Sequence, residues 1–354
     1  MFVTGGTMLD SGCRAFVHTK TRAIFSRFSS VESILASLTT RNPAPILESL
    51  HLGDTAPALS GLAAEDAELI LHRHFILRLS NAIPARSRIF PLFRALMMEY
   101  EIRNVALFLK HGSDQSERWY PLAPECGLFD EKTLSLSRET VLRLLERSEY
   151  REACLIWQKT RDTSRLDAAL DSVYSRRLHA AISDLPAPDR QRILHLQAQK
   201  TSLKLTLQAL RLQRSYGADM TEITDLLPIP DTTMRAEIVS LLATPRFDHV
   251  TDALPRQARN MARMLTAHRP ELLPRNPDPE LGLADLSSLE KISANIMLIR
   301  YRREYRNYGK GYAPFFCFYF LFKRELQNIM LLLNGIRFGI APDILRSELA
   351  WQGG

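Results

Sequence analysis

Cysteine is scarce in this chain of 354 residues: there are four, and Cys13, Cys126, Cys154 and Cys317 show no paired spacing. Scattered cysteines indicate neither a zinc site nor a disulfide framework, and they suit a reducing, cytoplasmic compartment. Glycine is also sparse, at 15 residues, and none of it forms a phosphate-cradling loop. Gly5-Gly6 and Gly12 lead into neither Gly-Lys-Thr nor Gly-Lys-Ser, and no dinucleotide fingerprint or nucleophile elbow occurs. His72 and His74 stand two residues apart, hence on nearly opposite sides of a helix; that rules out joint metal ligation and suggests surface or boundary positions. Long hydrophobic runs are missing too. The best membrane candidate, Tyr312 to Phe322, contains Pro314 and stops at Lys323-Arg324, too short for a bilayer, so it predicts a buried core helix. The first residues lack a basic segment followed by an apolar one, so no secretory leader is expected.

Strand signals are also lacking. No sustained alternation and no Asn-Gly or Asp-Gly turn between apolar runs is found. Apolar residues at 45% and charged residues at 24% mark an ordinary folded chain, rich in the helix formers Leu, Ala, Arg and Glu. The expectation is an all-α protein. Periodicity and punctuation predict helices over 13–40 (restarting at Ser29-Ser30 and broken by Asn42-Pro-Ala-Pro45), 65–82, 91–111, 137–147, 150–159, 164–184 and 187–214. Further helices are predicted over 286–308 and 312–334, with a short one after Pro342. Residues 112–136 read as loop, and the Pro-rich 268–285 as a long surface stretch.

Two patterns recur. Glu101-Ile-Arg-Asn104 precedes the apolar run 105–109, and Glu325-Leu-Gln-Asn328 precedes 329–333, with a degraded copy at Ser202-Leu-Lys-Leu205. A shorter pattern, at 34–38, 141–145 and 238–242, comes ahead of each. The alternation suggests one helical unit of roughly 100 residues used three times, with repeats at 1–129, 130–231 and 232–354. Asn104 shares a helical face with Phe93, Met97, Tyr100 and Phe108, and Asn328 with Cys317, Leu321, Leu331 and Leu332. An unpaired buried amide costs on the order of 1–3 kcal/mol. Glu101, Asn104, Glu325 and Asn328 are therefore expected to be structural, the asparagines docking on backbone groups of a neighbouring helix end or loop. No catalytic, cofactor-binding or metal-ligating residue is expected.

The formal net charge is +7. Its densest segment, Arg300 to Lys310, sets Arg300, Arg302, Arg303, Arg306 and Lys310 against Glu304, with tyrosines interleaved. Such a segment suits a solvated helix end, a contact with an acidic protein or anionic lipid headgroups, or nucleic acid.

The order of these elements resembles the C-type subunit of prokaryotic V-type (A-type) ATPases, the counterpart of the d-type subunit of the eukaryotic V-ATPase. The likeness is carried by Arg14 to Arg22 with Ser30 to Leu35; by Glu99 to Lys110; by Tyr120 to Leu134 with Val141 to Tyr150; by Leu166 to Tyr174; and by Tyr308 to Asn328 with Pro342 to Arg346. The Pro-rich stretch and Leu205 depart from that family's pattern. The resemblance implies three similar helical bundles around a pseudo-threefold axis, forming a funnel. It implies a non-catalytic rotor part on the cytoplasmic side of the membrane, between the D and F components of the central shaft and the proteolipid ring, with anionic lipid headgroups as a further contact. Neither a nucleic acid nor a small-molecule substrate is implied. A generic helical-repeat scaffold and a basic nucleic-acid-binding protein remain the alternatives.

Overall fold

The computed structural model describes residues 5–49, 64–85, 87–112, 118–120, 122, 126–128, 133, 136–227, 232–244, 250–273, 286–307 and 311–349. Among them there are helices and no strands, so the chain is all-α. Contacts divide it into two compact units. One comprises residues 1–27, 55–191 and 308–316, the other 28–54, 192–307 and 317–354.

The first unit holds α1 (Gly5–Phe25), α4 (Ala64–Ala82), α5 (Phe90–His111), α6 (Arg138–Glu146), α7 (Arg151–Thr160) and α8 (Thr163–Ser183). Local chemistry sets the helix ends. Pro91 occupies the first turn of α5, where its missing N–H costs nothing, and Gly112 ends that helix with φ 72°. Ser137 caps α6 by accepting from Thr140 N. Arg161 closes α7 in the left-handed region. The α5 side chains Met98, Val105, Phe108 and Leu109 pack with Val141, Leu145, Tyr150, Cys154, Leu166, Leu170 and Val173. Burial of each large apolar side chain contributes about 1.5–3 kcal/mol, so this cluster fixes how α5 to α8 stack.

The second unit includes α2 (Val31–Thr39) and α3 (Ala44–Ser49). It takes most of α9 (Ala187–Tyr216), then α10 (Met220–Leu226), α11 (Thr232–Leu242), α12 (Arg256–His268) and α13 (Leu286–Asn307). The larger part of α14 (Tyr312–Phe338) and α15 (Pro342–Glu348) complete it. Ser30 caps α2. Phe28 packs on Phe318 and Phe322, with ring centroids 6.2 and 5.4 Å away. Leu345 of α15 and Leu38 of α2 both close on Gly335, where a Cβ would stand 3.0 Å from Leu38 Cδ1.

Several expectations need correction. Asn42-Pro-Ala-Pro45 does not only break a helix: it starts α3, with Asn42 Oδ1 accepting from Ala44 N at 3.0 Å, because proline is tolerated in a first turn. Neither α10 nor α12 is among the helices expected from periodicity. The buried positions of α12 are Ala258, Ala262 and Leu265, correctly spaced for a helix but too small to stand out. Pro270–Leu272 forms a 3₁₀ turn, and residues 274–285 of the Pro-rich stretch lie outside the described residues. The aromatic run of α14 is buried from Phe315 to Phe322, and no helix among the described residues is long and apolar enough to cross a membrane.

Candidate functional site

Among the described residues, three buried carboxylates each hold backbone from another part of the sequence. Glu101, on α5, accepts from Leu128 N at 2.6 Å. Burial pushes this carboxyl above its ordinary value, while the Leu128 N–H and the nearby Tyr150 hydroxyl pull the other way. Gly127 lies directly over it: a Cβ there would stand 2.8 Å from the carboxylate, so the loop backbone approaches only because the residue is glycine. Glu325, on α14 and wholly buried, accepts from Ser29 N at 2.7 Å. Ser29 lies immediately ahead of the α2 cap, so the last long helix holds the entrance to the second helix of the chain. Asp189, in the first turn of α9, accepts from Tyr312 N at 3.1 Å and Ala313 N at 3.0 Å. It thereby satisfies two of the N–H groups that every helix start leaves over, here those of α14.

The asparagines of the repeated motif lie one turn further on. Asn104 is wholly buried. Its Nδ2 donates to Tyr120 O and its Oδ1 accepts from Tyr120 N, both at 2.8 Å. This two-point clasp pins the loop after α5 to the helix itself. Asn328 is equally buried on α14. In the middle copy, Leu205 and its neighbour Thr206 are buried on α9. Asp189 is not singled out by any motif; the one signal for it in the sequence is an acidic residue after Pro188 in a helix start.

His72 corrects another expectation. It is 5% exposed, not a surface or boundary residue: Nδ1 lies 2.8 Å from Tyr100 Oη, and the ring packs edge-on to Tyr120. A polar partner and two aromatic neighbours make an imidazole acceptable in the core.

The arginine-rich segment lies on α13. Successive residues turn by about 100°, which brings Arg302, Arg303 and Arg306 onto one side and Tyr301 and Tyr305 onto the other. The tyrosines are buried: Tyr301 stacks on Phe320 with centroids 5.1 Å apart, and Tyr305 meets Phe318. They are committed to the core and do not form a base-stacking platform. Arg303 and Arg306 are exposed, and Arg302 is half-buried. Burial and the Arg306 charge lower the Arg302 pKa, and Glu325 offsets part of that. Arg300 donates to Gln257 O at 3.1 Å, and Glu304 pairs with Arg192 at 3.6 Å. Lys310 lies outside the described residues. No group of three or more His, Cys, Asp or Glu among the described residues is arranged to hold a metal.

The described residues form an all-α fold in which buried polar clasps tie remote segments, with no metal-holding cluster among them. Residues 62–348 match the ATP synthase (C/AC39) subunit family. The chain belongs to this family, whose members are accessory subunits of V/A-type ATPases. No curated protein matches it.

Proposed function

We propose that this chain is the coupling subunit of the central rotor in a V/A-type ATPase. It would join the foot of the shaft, formed by the D and F components, to the proteolipid ring on the cytoplasmic face of the membrane. Its role would be non-catalytic: torque passes through it, linking ATP hydrolysis or synthesis to the movement of H+ or Na+. The observation that carries the proposal is the family match over 62–348.

The physics of the chain supports it. A transmission element must not yield, and close-packed helical interiors transmit strain. The clasps at Glu101, Asn104, Asp189 and Glu325 tie segments up to 296 residues apart in sequence. Hydrogen bonds to the carboxylates each contribute roughly 1.5–3 kcal/mol, and the neutral bonds of Asn104 about 0.5–1.5 kcal/mol each. We further propose the division into three repeats, 1–129, 130–231 and 232–354, as bundles around a pseudo-threefold axis. Arg300, Arg302, Arg303, Arg306 and Lys310 would form a contact with an acidic partner surface or with anionic headgroups around the ring. Affinity capture of the tagged chain from solubilised membranes tests the assignment. Shaft and ring subunits should both co-purify; recovery of neither would sink it.

A further inference from the structure

Within the second unit, α9, α13 and α14 enclose an open groove of about 500 Å³. Its floor is apolar: Leu203, Leu207, Met297, Leu298, Tyr301 and Phe320 line it, all buried or half-buried. Leu203 and Leu207 repeat at four residues on one wall. Met297 and Tyr301 do so on another, and Ser293 and Ala294 leave room beside them for a close backbone approach. The rims are cationic. Lys200, Lys204 and Arg211 follow one another along α9, and Lys323 and Arg324 stand on α14. The one acidic residue of the lining is Glu290, which is paired with Arg211.

We propose that this groove is the docking site for an acidic amphipathic helix of a partner polypeptide. From Lys200 to Arg211 the wall runs eleven residues, about 16 Å at 1.5 Å per residue, the length of three helical turns. Side chains at helical spacing along both walls suit a helix laid in the groove, with apolar residues at i, i+3, i+4 and i+7 pointing down. The distribution of charge selects the ligand class. An acyl lipid brings one anionic head to one end of an apolar slot, whereas cations spread along both rims match carboxylates spread along a helix. The cations are also placed to be sensitive to such a partner. Lys200 Nζ lies over the Phe320 ring, 4.2 Å from its centroid, so it already stands at the apolar floor. Arg324 donates to Gln327 Oε1 at 3.0 Å and to Glu348 O at 3.2 Å. Burial holds its guanidinium below its ordinary pKa, the Glu348 carboxylate offsets part of that, and a partner carboxylate would offset more. The inference goes beyond the coupling role and takes from it only that the chain works in an assembly.

The test is photo-crosslinking in intact cells, with benzoylphenylalanine placed at the half-buried Leu207 of the full chain and the adduct mapped by mass spectrometry. The expected adduct lies on a polypeptide segment with apolar residues at helical spacing flanked by Asp and Glu. The paired variant Lys200→Glu, Lys204→Glu should lower its yield by about tenfold or more, as losing interfacial charge pairs does, while Lys200→Arg, Lys204→Arg keeps it. Both lysines are exposed, and thermal melts confirm that the variants fold. A lipid adduct, a basic segment, or a yield no higher than at the exposed Leu77 would overturn the proposal. Co-purification with the ATPase is scored separately. An acidic-helix adduct without co-purification keeps the groove and removes the coupling role; co-purification without the adduct does the reverse.

Discussion

Replacing Asn104 by leucine removes two hydrogen bonds and leaves the branched outline of the side chain in place. Both bonds are 2.8 Å long, and both end on the backbone of Tyr120. The middle copy of the motif carries Leu205 at this place on α9, where it is buried. The cavity contribution that would complicate an alanine substitution is therefore small. What remains is the stranding of one buried N–H and one buried C=O, at about 1–3 kcal/mol each. The expected loss is about 2–6 kcal/mol, with local release of the segment around Tyr120. Urea unfolding gives the first quantity, and hydrogen exchange of the peptide containing Tyr120 gives the second. Asn104→Asp refines the test. Its carboxylate still accepts from Tyr120 N but turns an oxygen toward Tyr120 O, so burial and that repulsion raise its folded pKa. A raised folded pKa means stability present at low pH and lost as pH rises through it, so Asn104→Asp should recover on acidification whereas Asn104→Leu should not. The reasoning fails if Asn104→Leu unfolds within about 0.5 kcal/mol of the parent, the scatter of a surface change, with Tyr120 still protected.

Glu101→Gln probes the neighbouring clasp. Because burial raises the folded pKa of Glu101 above its ordinary 4.5, the parent should gain stability relative to Glu101→Gln as pH falls through that raised value, levelling off below the unfolded one; paired urea titrations across the pH range read it. Gly127→Ala places a methyl against the Glu101 carboxylate and should cost about 1–3 kcal/mol by overpacking, visible as a lowered midpoint in thermal unfolding. Arg303→Glu with Arg306→Glu changes two exposed side chains and should leave the melt within about 0.5 kcal/mol of the parent, while weakening ATPase assembly more at low salt than at high.

What can be read from the sequence depends on how local its cause is. Helix ends set by a single cap or breaker, such as Ser30, Ser137 and the Pro84 that follows α4, fall within a residue or two of their expected places. The pair Glu101 and Asn104 stands out because the motif repeats. Its polar partners at Leu128 and Tyr120 lie on the next loop, close enough for sequence to suggest a docking role. Asp189 is invisible because its partners, Tyr312 and Ala313, lie 123 and 124 residues away, and nothing local distinguishes an acid that serves another helix from one that serves its own. His72 misleads for a similar reason: the Tyr100 hydroxyl that makes its burial tolerable sits on a different helix. The small alanine face of α12 hides a helix whose remaining residues are mostly polar. The basic groove of α9, α13 and α14 requires three segments to be brought together before its chemistry exists.

The central claim, that this chain transmits rotation between shaft and ring, is tested most directly by removing it from the complex. ATP-driven ion uptake into inverted membrane vesicles is measured alongside ATP hydrolysis, with and without the chain and after adding it back. The expected result is uptake that disappears without the chain, hydrolysis by the detached catalytic head that persists, and uptake that returns on reconstitution. Uptake that continues unchanged in its absence would contradict the account.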